Sequence, residues 1–247
     1  MSRKRPYCLT IAGFDPSGGA GILADIKTFE QFRTHGLSVL TANTVQTEDS
    51  YEKTFWISQE TIVEQLTTLL KRYPVTHFKV GLIENASILL AVLETIHTHA
   101  ASPFILWDPI LSASAGGDLD PQRFKESLPV ILEKISLITP NIPEFEQLFG
   151  ERDPAEVANT LNSEIYLKGG HAASKGKDFL YAGGKCYPFN SQVRTSLSKH
   201  GTGCILSAAL TASRSLGYPL VKGVLKSKRY LERSLVSNPT LLAYHHF

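Results

Sequence analysis

This sequence has few cysteines and no long apolar run, and each shortage excludes a class of protein. Its three cysteines, Cys8, Cys186 and Cys204, are odd in number and lie at no metal-ligand spacing, so we expect neither a disulfide framework nor a zinc site. No uninterrupted apolar stretch approaches the roughly 20 residues that a membrane-spanning helix needs. The short apolar run that begins at Tyr7 lacks a signal-peptide cleavage pattern. We therefore expect a cytoplasmic protein with no membrane partner.

The sequence also has little excess of positive over negative charge. The formal net charge is +2 over 247 residues, which supplies no electrostatic footprint for nucleic acid. The sequence contains no Gly-x-x-x-x-Gly-Lys-[Ser/Thr] motif, so any nucleotide must be held by another device. No linker, repeat or low-complexity tract divides the chain, and 43% of its residues are hydrophobic. These features predict a single globular domain over residues 1–247.

Strand-like and helix-like segments alternate along most of the chain. This alternation predicts an α/β fold with a mostly parallel central sheet and helices on both faces, a three-layer α/β/α sandwich. Two short apolar runs flank Gly183-Gly184, which predicts an antiparallel hairpin at one edge. The stretch Gln46–Trp56 is either a lid or interface segment or an exposed hairpin. The predicted strands are Tyr7–Gly13, Ser38–Val45, Phe78–Ile83, Phe104–Trp107, Leu137–Thr139 and Ile165–Leu167.

Ligands of open α/β sheets bind outside the carboxyl ends of the strands, so we searched the residues that follow each strand. The glycine-rich segment Gly13–Gly21 comes first. Within it, Gly19–Ala24 matches a dinucleotide fingerprint, but the match begins too late after the strand and lacks the acidic ribose ligand. Close packing of a helix and substrate contact by backbone amides explain these glycines equally well.

The junction His200–Cys204 leads into an apolar helix of small residues. Such a helix start exposes unpaired N–H groups and the positive end of the helix dipole, which favours phosphate or a developing oxyanion. The same field is expected to lower the pKa of Cys204 and give it thiolate character. The alternative is a core helix with a glycine hinge and an inert, buried cysteine.

Four polar residues follow the middle strands. Asp108 and Glu144 are candidate Mg²⁺ ligands, and the ammonium of Lys168 is a candidate phosphate contact. Three of the four have an ordinary alternative: Asp108 caps a turn, Asn141 caps the helix that starts near Pro143, and Lys168 is a surface lysine.

The order and the sequences of these segments resemble those of the hydroxymethylpyrimidine and phosphomethylpyrimidine kinases, in the vitamin-kinase branch of the ribokinase superfamily. The resemblance covers nearly the whole chain, and the first and last of its phrases are specific. The matching phrases are Leu9–Phe29, Lys79–Ile83, Leu137–Glu144, Leu167–His171 and His200–Cys204.

The resemblance implies a ribokinase-like fold, ATP and Mg²⁺ as cofactors, and transfer of the γ-phosphate to the hydroxymethyl oxygen of an aminopyrimidine in thiamine biosynthesis. It also implies a homodimer. The residues that it assigns to the catalytic step are Lys168, Gly201, Gly203 and Cys204. The pyrimidine would contact Gly13, Asp15, Ala20, Thr44, Gln46, Leu82, Ile110 and Cys204. ATP would contact Asn141, Glu144, Lys168, Gly201, Thr202, Gly203 and Lys228, and Mg²⁺ would be organised by Asp108 and Glu144.

The sequence departs from the family pattern at several points. Thr47 and Glu48 replace the usual residues after Gln46, the 112–117 stretch lacks a lysine, and Lys199 stands where a threonine is common. Two other functions compete with the pyrimidine kinase. One is a pyridoxal kinase of the same branch, and the other is a non-catalytic pyrimidine-binding regulatory module.

Overall fold

A computed structural model of the chain describes residues 4–111, 122–160, 163–169, 177–193 and 198–246. The 112–117 stretch, in which the sequence departs from the family pattern, lies outside these residues, as does His171. The strands are β1 (Tyr7–Phe14), β2 (His35–Gln46), β3 (Tyr51–Trp56), β4 (His77–Val80), β5 (Phe104–Trp107), β6 (Leu137–Ile138), β7 (Glu164–Leu167), β8 (Asp178–Ala182) and β9 (Lys185–Phe189). The helices are α1 (Gly21–Gln31), α2 (Gln59–Arg72), α3 (Ala86–His99), α4 (Gln122–Lys125), α5 (Leu128–Glu133), α6 (Ile142–Phe149), α7 (Pro154–Thr160), α8 (Thr202–Ser215) and α9 (Leu220–Leu235).

One nine-stranded sheet runs through the described residues in the order β3-β2-β1-β4-β5-β6-β7-β8-β9. The strands from β2 to β7 in this order pair in parallel. The pairs β2–β3, β7–β8 and β8–β9 are antiparallel. The predicted mostly parallel sheet with an antiparallel edge hairpin is therefore confirmed, and a second antiparallel pair lies at the opposite edge.

The two faces of the sheet are buried under different helices. Alternate side chains of a strand point to opposite faces: Ile105 and Trp107 of β5 join the core under α2, α3 and α5, whereas Leu106 faces α8 and α9. Phe29 of α1 packs with Ile205 of α8 in a third cluster on that second face. The three-layer α/β/α arrangement is as predicted.

The stretch Gln46–Trp56 forms a hairpin, one of its two predicted alternatives, because β2 continues to Gln46 and its carboxyl-terminal half pairs with β3. Two other elements differ from the sequence-based expectation. The apolar spacing of Phe124–Leu132 predicts one helix, but the structure has two, α4 and α5, and Pro129 stands in the first turn of α5, where a proline is tolerated. Helix α7 was not predicted, since only Val157 is buried on it.

No helix in the described part of the chain is long and apolar enough to cross a membrane.

Candidate functional site

The loop after β1 is organised by the carboxylate of Asp15. This carboxylate accepts hydrogen bonds from Ser17 N at 2.9 Å, Ser17 Oγ at 2.9 Å, Ala20 N at 2.8 Å and His200 Nε2 at 2.9 Å. Burial acts to raise the pKa of Asp15, but the bond from His200 and the loop bonds outweigh it, so the pKa lies below its ordinary value. Asp15 therefore holds the loop in shape, and its predicted contact with substrate stays a prediction.

The two glycine-rich segments lie against each other. Gly201 has a φ of 71° and is the residue preceding α8, and a Cβ on it would stand 2.0 Å from the carbonyl oxygen of Gly19. Gly21 has a φ of 58°, and a Cβ there would stand 2.3 Å from the carbonyl oxygen of Gly13. Only glycine satisfies both the left-handed backbone and the close approach. The start of α8 is therefore fixed on the loop that follows β1.

Asp108, Lys168 and Ser207 meet in front of the same helix start. Lys168 Nζ donates to Asp108 Oδ1 at 2.8 Å, and Ser207 Oγ donates to Asp108 Oδ2 at 3.0 Å. Thr139 Oγ1 also donates to Asp108 Oδ1, at 3.0 Å. A Cβ on Gly203 would lie 3.4 Å from Lys168 Nζ and 3.6 Å from Asp108 Oδ2. The strand-end acid and cation therefore face the first turn of α8, as the sequence predicts.

The charge states of this cluster follow from burial and mutual attraction. Burial opposes ionisation of Asp108, but Lys168 and then Lys79 outweigh it and lower the pKa of Asp108 below its ordinary value. Burial likewise opposes the charge on Lys168, yet Asp108 and Glu144 raise its pKa above the ordinary value. The pair is therefore ionised on both sides at neutral pH.

Glu144 has two functions in the structure. Its Oε2 accepts a bond from Asn141 N at 2.7 Å, and Asn141 Oδ1 accepts one from Glu144 N at 2.8 Å, which is a capping box at the start of α6. Glu144 Oε2 also lies 3.7 Å from Lys168 Nζ. Burial raises the pKa of Glu144 despite the opposing field of Lys168. The ordinary capping function of Asn141 is present, and its predicted contact with ATP stays a prediction.

The donor set suits a magnesium ion that is carried by a nucleotide. Mg²⁺ in kinases is usually bound by one or two carboxylates together with substrate phosphates and water. Asp108 and Glu144 supply two carboxylates on either side of Lys168. No group of three or more His, Cys, Asp or Glu side chains suited to a metal occurs in the described residues. Asp108 and Glu144 therefore fit an Mg²⁺ ion that the protein and the nucleotide phosphates bind together.

Of the two interpretations of Cys204, the one that gives it thiolate character is wrong. Cys204 is buried in the first turn of α8, and burial raises the pKa of its thiol to about 11, a rise that the charge of Lys79 only partly offsets. Asp25 and Asp108 raise the pKa further. Desolvation and the neighbouring carboxylates therefore outweigh the charge of Lys79, and the thiol is neutral at pH 7.

The predicted pyrimidine contacts come from several elements: most lie at or near the ends of β1, β2, β4 and β5, Ala20 directly precedes α1, and Cys204 lies in α8. A Cβ on Gly13 would stand 2.8 Å from Leu82 Cδ2, and Ile110 Cδ1 lies 3.8 Å from the place of a Cβ on Gly81. The Thr44 hydroxyl is already used, since Thr44 Oγ1 donates to the carbonyl oxygen of Phe14 at 2.8 Å. Gln46 is half-buried at the end of β2. Gly13 and Leu82 are therefore closely packed at this end of the site.

Lys228 is buried in a network of its own. Lys228 Nζ donates to Asp178 Oδ2 at 2.6 Å, and the same carboxylate accepts from Tyr166 Oη at 2.6 Å and from Gly169 N at 2.8 Å. Lys228 is thereby tied to the backbone beside Lys168, and its predicted contact with ATP stays a prediction.

Sequence reasoning missed a buried ion pair beneath the site. Lys79 Nζ lies 2.6 Å and 2.7 Å from the two carboxylate oxygens of Asp25, and Thr10 Oγ1 donates to Asp25 Oδ2 at 2.6 Å. All three residues are fully buried. The signal was a lysine inside the apolar strand Phe78–Ile83, because a buried lysine requires a partner. The function of His200, which bonds to Asp15, was missed as well.

Comparison with known proteins agrees with this geometry. The family model described as phosphomethylpyrimidine kinase matches residues 15–246. The hydroxymethylpyrimidine/phosphomethylpyrimidine kinase of Aquifex aeolicus is 34% identical to this chain, with 94% of this chain and 95% of that protein covered.

Solved structures extend the likeness to the fold. The phosphomethylpyrimidine kinase of Clostridium difficile 630 has a TM-score of 0.78 and 30% identity, covering 92% of this chain and 98% of that one. The pyridoxal kinase of Staphylococcus aureus in complex with AMP-PCP has a TM-score of 0.82 and 26% identity, covering 94% of this chain and 89% of that one. The ribokinase-like fold that the sequence predicts is confirmed.

Proposed function

Because this chain belongs to the phosphomethylpyrimidine kinase family, we propose that it transfers the γ-phosphate of ATP to the hydroxymethyl oxygen of 4-amino-5-hydroxymethyl-2-methylpyrimidine, and then to the monophosphate, in thiamine biosynthesis. The observation that carries the proposal is the cluster of Asp108 and Lys168 in front of the α8 N-terminus. A binding module needs no such phosphate-handling charges.

Phosphoryl transfer requires alignment and neutralisation of charge more than covalent chemistry. The backbone N–H groups of Gly201, Thr202, Gly203 and Cys204 would hold the transferring group at the helix start. Lys168 would contact its oxygens from the opposite side. The new bond forms between the substrate oxygen and the γ-phosphorus, while the bond from that phosphorus to the bridging oxygen breaks and ADP leaves.

Asp108 and Glu144 would hold Mg²⁺, which supplies positive charge to the phosphate oxygens when it is bound. Lys168 Nζ lies 2.8 Å from Asp108 Oδ1 and 3.7 Å from Glu144 Oε2, so its ammonium would reach phosphate oxygens held beside these carboxylates. The bonds that Thr139 and Ser207 donate to Asp108 would keep the Asp108 carboxylate oriented.

Cys204 would take up or relay the proton of the substrate hydroxyl. Because the pKa of its thiol is about 11, Cys204 is protonated at neutral pH and would relay a proton rather than remove one as a thiolate base. The loose transition state of phosphoryl transfer does not demand a strong base, since little charge develops on the attacking oxygen until late. Cys204 would therefore act mainly by lying close to the substrate hydroxyl. The pyrimidine ring would be held by Gly13, Ala20, Gln46, Leu82 and Ile110.

A coupled ADP-release assay with Mg-ATP tests the proposal, with the aminopyrimidine and pyridoxal offered separately. We expect turnover on the pyrimidine that Cys204→Ala reduces strongly. Turnover on pyridoxal alone would support the phosphoryl-transfer mechanism but show that pyridoxal, not the pyrimidine, is the substrate. Silence on both, with intact Mg-ATP binding, would contradict the kinase assignment.

The single domain over residues 1–247, the cytoplasmic location, the absence of a nucleic-acid partner and the homodimer remain predictions. Size-exclusion chromatography with light scattering measures the last of these directly, since a monomeric mass would overturn it.

A further inference from the structure

A segment distant in sequence covers both glycine-rich loops of the site. We call residues 237–246 the strap. The carbonyl oxygen of Leu241 accepts a hydrogen bond from His200 N at 2.9 Å. Leu242 Cδ2 lies 2.8 Å from the place that a Cβ on Gly19 would occupy. The strap therefore touches the loop after β1 and the residue that precedes Gly201.

The ammonium of Lys199 fastens the strap to this position. Lys199 Nζ donates to the carbonyl oxygen of Asn238 at 2.6 Å and to Asn238 Oδ1 at 2.9 Å, and it also bonds to the carbonyl oxygen of Thr240. An ammonium carries three N–H donors, so each of them has an acceptor. Lys199 is 7% exposed.

The acceptors around Lys199 are all neutral. No carboxylate pairs with this lysine among the residues that the structure describes. Backbone carbonyl and amide oxygens that converge on one charge are the arrangement with which proteins replace the hydration shell of a monovalent cation. The strap thus forms an oxygen cage, and the chain itself supplies the cation.

The cage depends on the fold of the strap. Asn238 Oδ1 accepts further bonds from Thr240 N at 2.8 Å and Thr240 Oγ1 at 2.7 Å, and Asn238 Nδ2 donates to the carbonyl oxygen of Leu242 at 2.9 Å. At the far end, His245 Nδ1 lies 3.3 Å from Thr28 Oγ1 of α1 and 3.2 Å from Tyr230 Oη of α9. The strap is anchored at both ends.

Displacement of the strap would move the start of α8, where the transferring phosphate is proposed to bind. Lys199 is bonded covalently to His200, whose Nε2 lies 2.9 Å from Asp15 Oδ2. Gly201 follows directly and lies against the Gly19 carbonyl oxygen. The position of the N–H groups at the start of α8 therefore depends on the residues that Lys199 holds in place.

We propose that Lys199 is a positioning residue whose ammonium occupies a monovalent-cation cage built by Asn238 and Thr240, and that this cage holds the start of α8 in place for phosphoryl transfer. The proposal rests on the proposed kinase function for its catalytic consequence, but the cage itself does not.

The test is chemical rescue of Lys199→Ala. In Mg-ATP buffer whose only added monovalent salt is tetramethylammonium chloride, we expect kcat to fall about 100-fold, the scale of a misplacement of about 1 Å at a catalytic group. Replacement by ammonium or potassium chloride at equal ionic strength should recover at least a tenth of the wild-type kcat. Wild type and Lys71→Ala, an exposed lysine at the end of α2, should respond equally to all three salts.

A second readout does not depend on turnover. Ammonium should raise the Tm of Lys199→Ala relative to tetramethylammonium, and should leave the Tm of Lys199→Met unchanged because the methionine side chain fills the cage. An unchanged kcat in Lys199→Ala, or a loss that neither cation reverses, would overturn the proposal. So would a Tm of Lys199→Ala that does not distinguish the salts. If wild type has no turnover but the Tm shift is present, the cage stands and the proposed function fails.

Discussion

The two ends of the site are built from different materials. At the ends of β5, β6 and β7, Asp108 and Lys168 form an ionised pair, and Lys168 also lies beside Glu144. At the ends of β1 and β4, close backbone packing and apolar groups dominate, with Gly13 against Leu82. The difference indicates that the first end acts through charge and the second through shape. Substitutions at the two ends should therefore alter different kinetic constants.

The largest effect is expected at Lys168. Lys168→Met removes a fixed donor to the transferring phosphate, and loss of one such donor costs about 10²–10³ in kcat. The substitution also leaves Asp108 without its ion-pair partner, so part of the loss reflects altered Mg-ATP binding. Steady-state kinetics in both substrates measure the split. Lys185→Met, at an exposed lysine of β9, is the matched control and should behave as wild type.

The second-largest loss of activity is expected for Gly201→Ala. A left-handed backbone costs a non-glycine residue about 1–2 kcal/mol, and here a Cβ would also meet the Gly19 carbonyl oxygen at 2.0 Å. We expect kcat to fall about 100-fold as the α8 start moves. Gly150→Ala is the control, because Gly150 has a φ of 70° but nothing within 4 Å of its Cβ position. Equal activity loss in both variants would show that strain alone, without the contact, is responsible.

Gly13→Ala sharpens the comparison at the other end. Its new Cβ would stand 2.8 Å from Leu82 Cδ2, and overpacking of this kind costs about 1–3 kcal/mol. Because Leu82 is itself a predicted ring contact, displacement of its side chain should raise the KM for the pyrimidine about 10-fold, as about 1.4 kcal/mol implies. The KM for Mg-ATP should not change. A rise in the KM for Mg-ATP alone would place Gly13 at the wrong end.

The smallest effect concerns the ionisation of Cys204. Because burial raises the pKa of its thiol to about 11, the thiol is protonated at neutral pH and deprotonates only as the pH rises through about 11. Iodoacetamide should therefore modify Cys204 slowly at pH 8 and faster toward pH 10.5, as followed by peptide mass spectrometry. Cys186, which is exposed, serves as the internal standard. Rapid modification of Cys204 at pH 7 would contradict the assignment.

The sequence predicted those parts of the site that a parallel sheet brings together by itself. Asp108, Asn141 and Lys168 each follow a strand, and the carboxyl ends of parallel strands meet at one edge. Their meeting with the first turn of α8 also follows from the glycine-rich junction. Neither result needs the side-chain packing to be known.

The remaining features depend on partners that lie far apart in sequence. Lys79 pairs with Asp25 across 54 positions, and Lys199 bonds to residues about 40 positions away, so no local pattern reveals either contact. The error at Cys204 has a different origin. The helix terminus was visible in the sequence, but the depth of burial and the carboxylates of Asp25 and Asp108 that oppose it were not.

The most direct test of the two-ended account is a double-mutant cycle of Lys168→Met and Gly13→Ala, with kcat and both KM values measured for each variant. We predict that kcat follows Lys168→Met, that the pyrimidine KM follows Gly13→Ala, and that the double variant combines the two within about 0.5 kcal/mol, as independent sites do. If Lys168→Met alone raises the pyrimidine KM as much as Gly13→Ala does, the separation of charge from shape is contradicted.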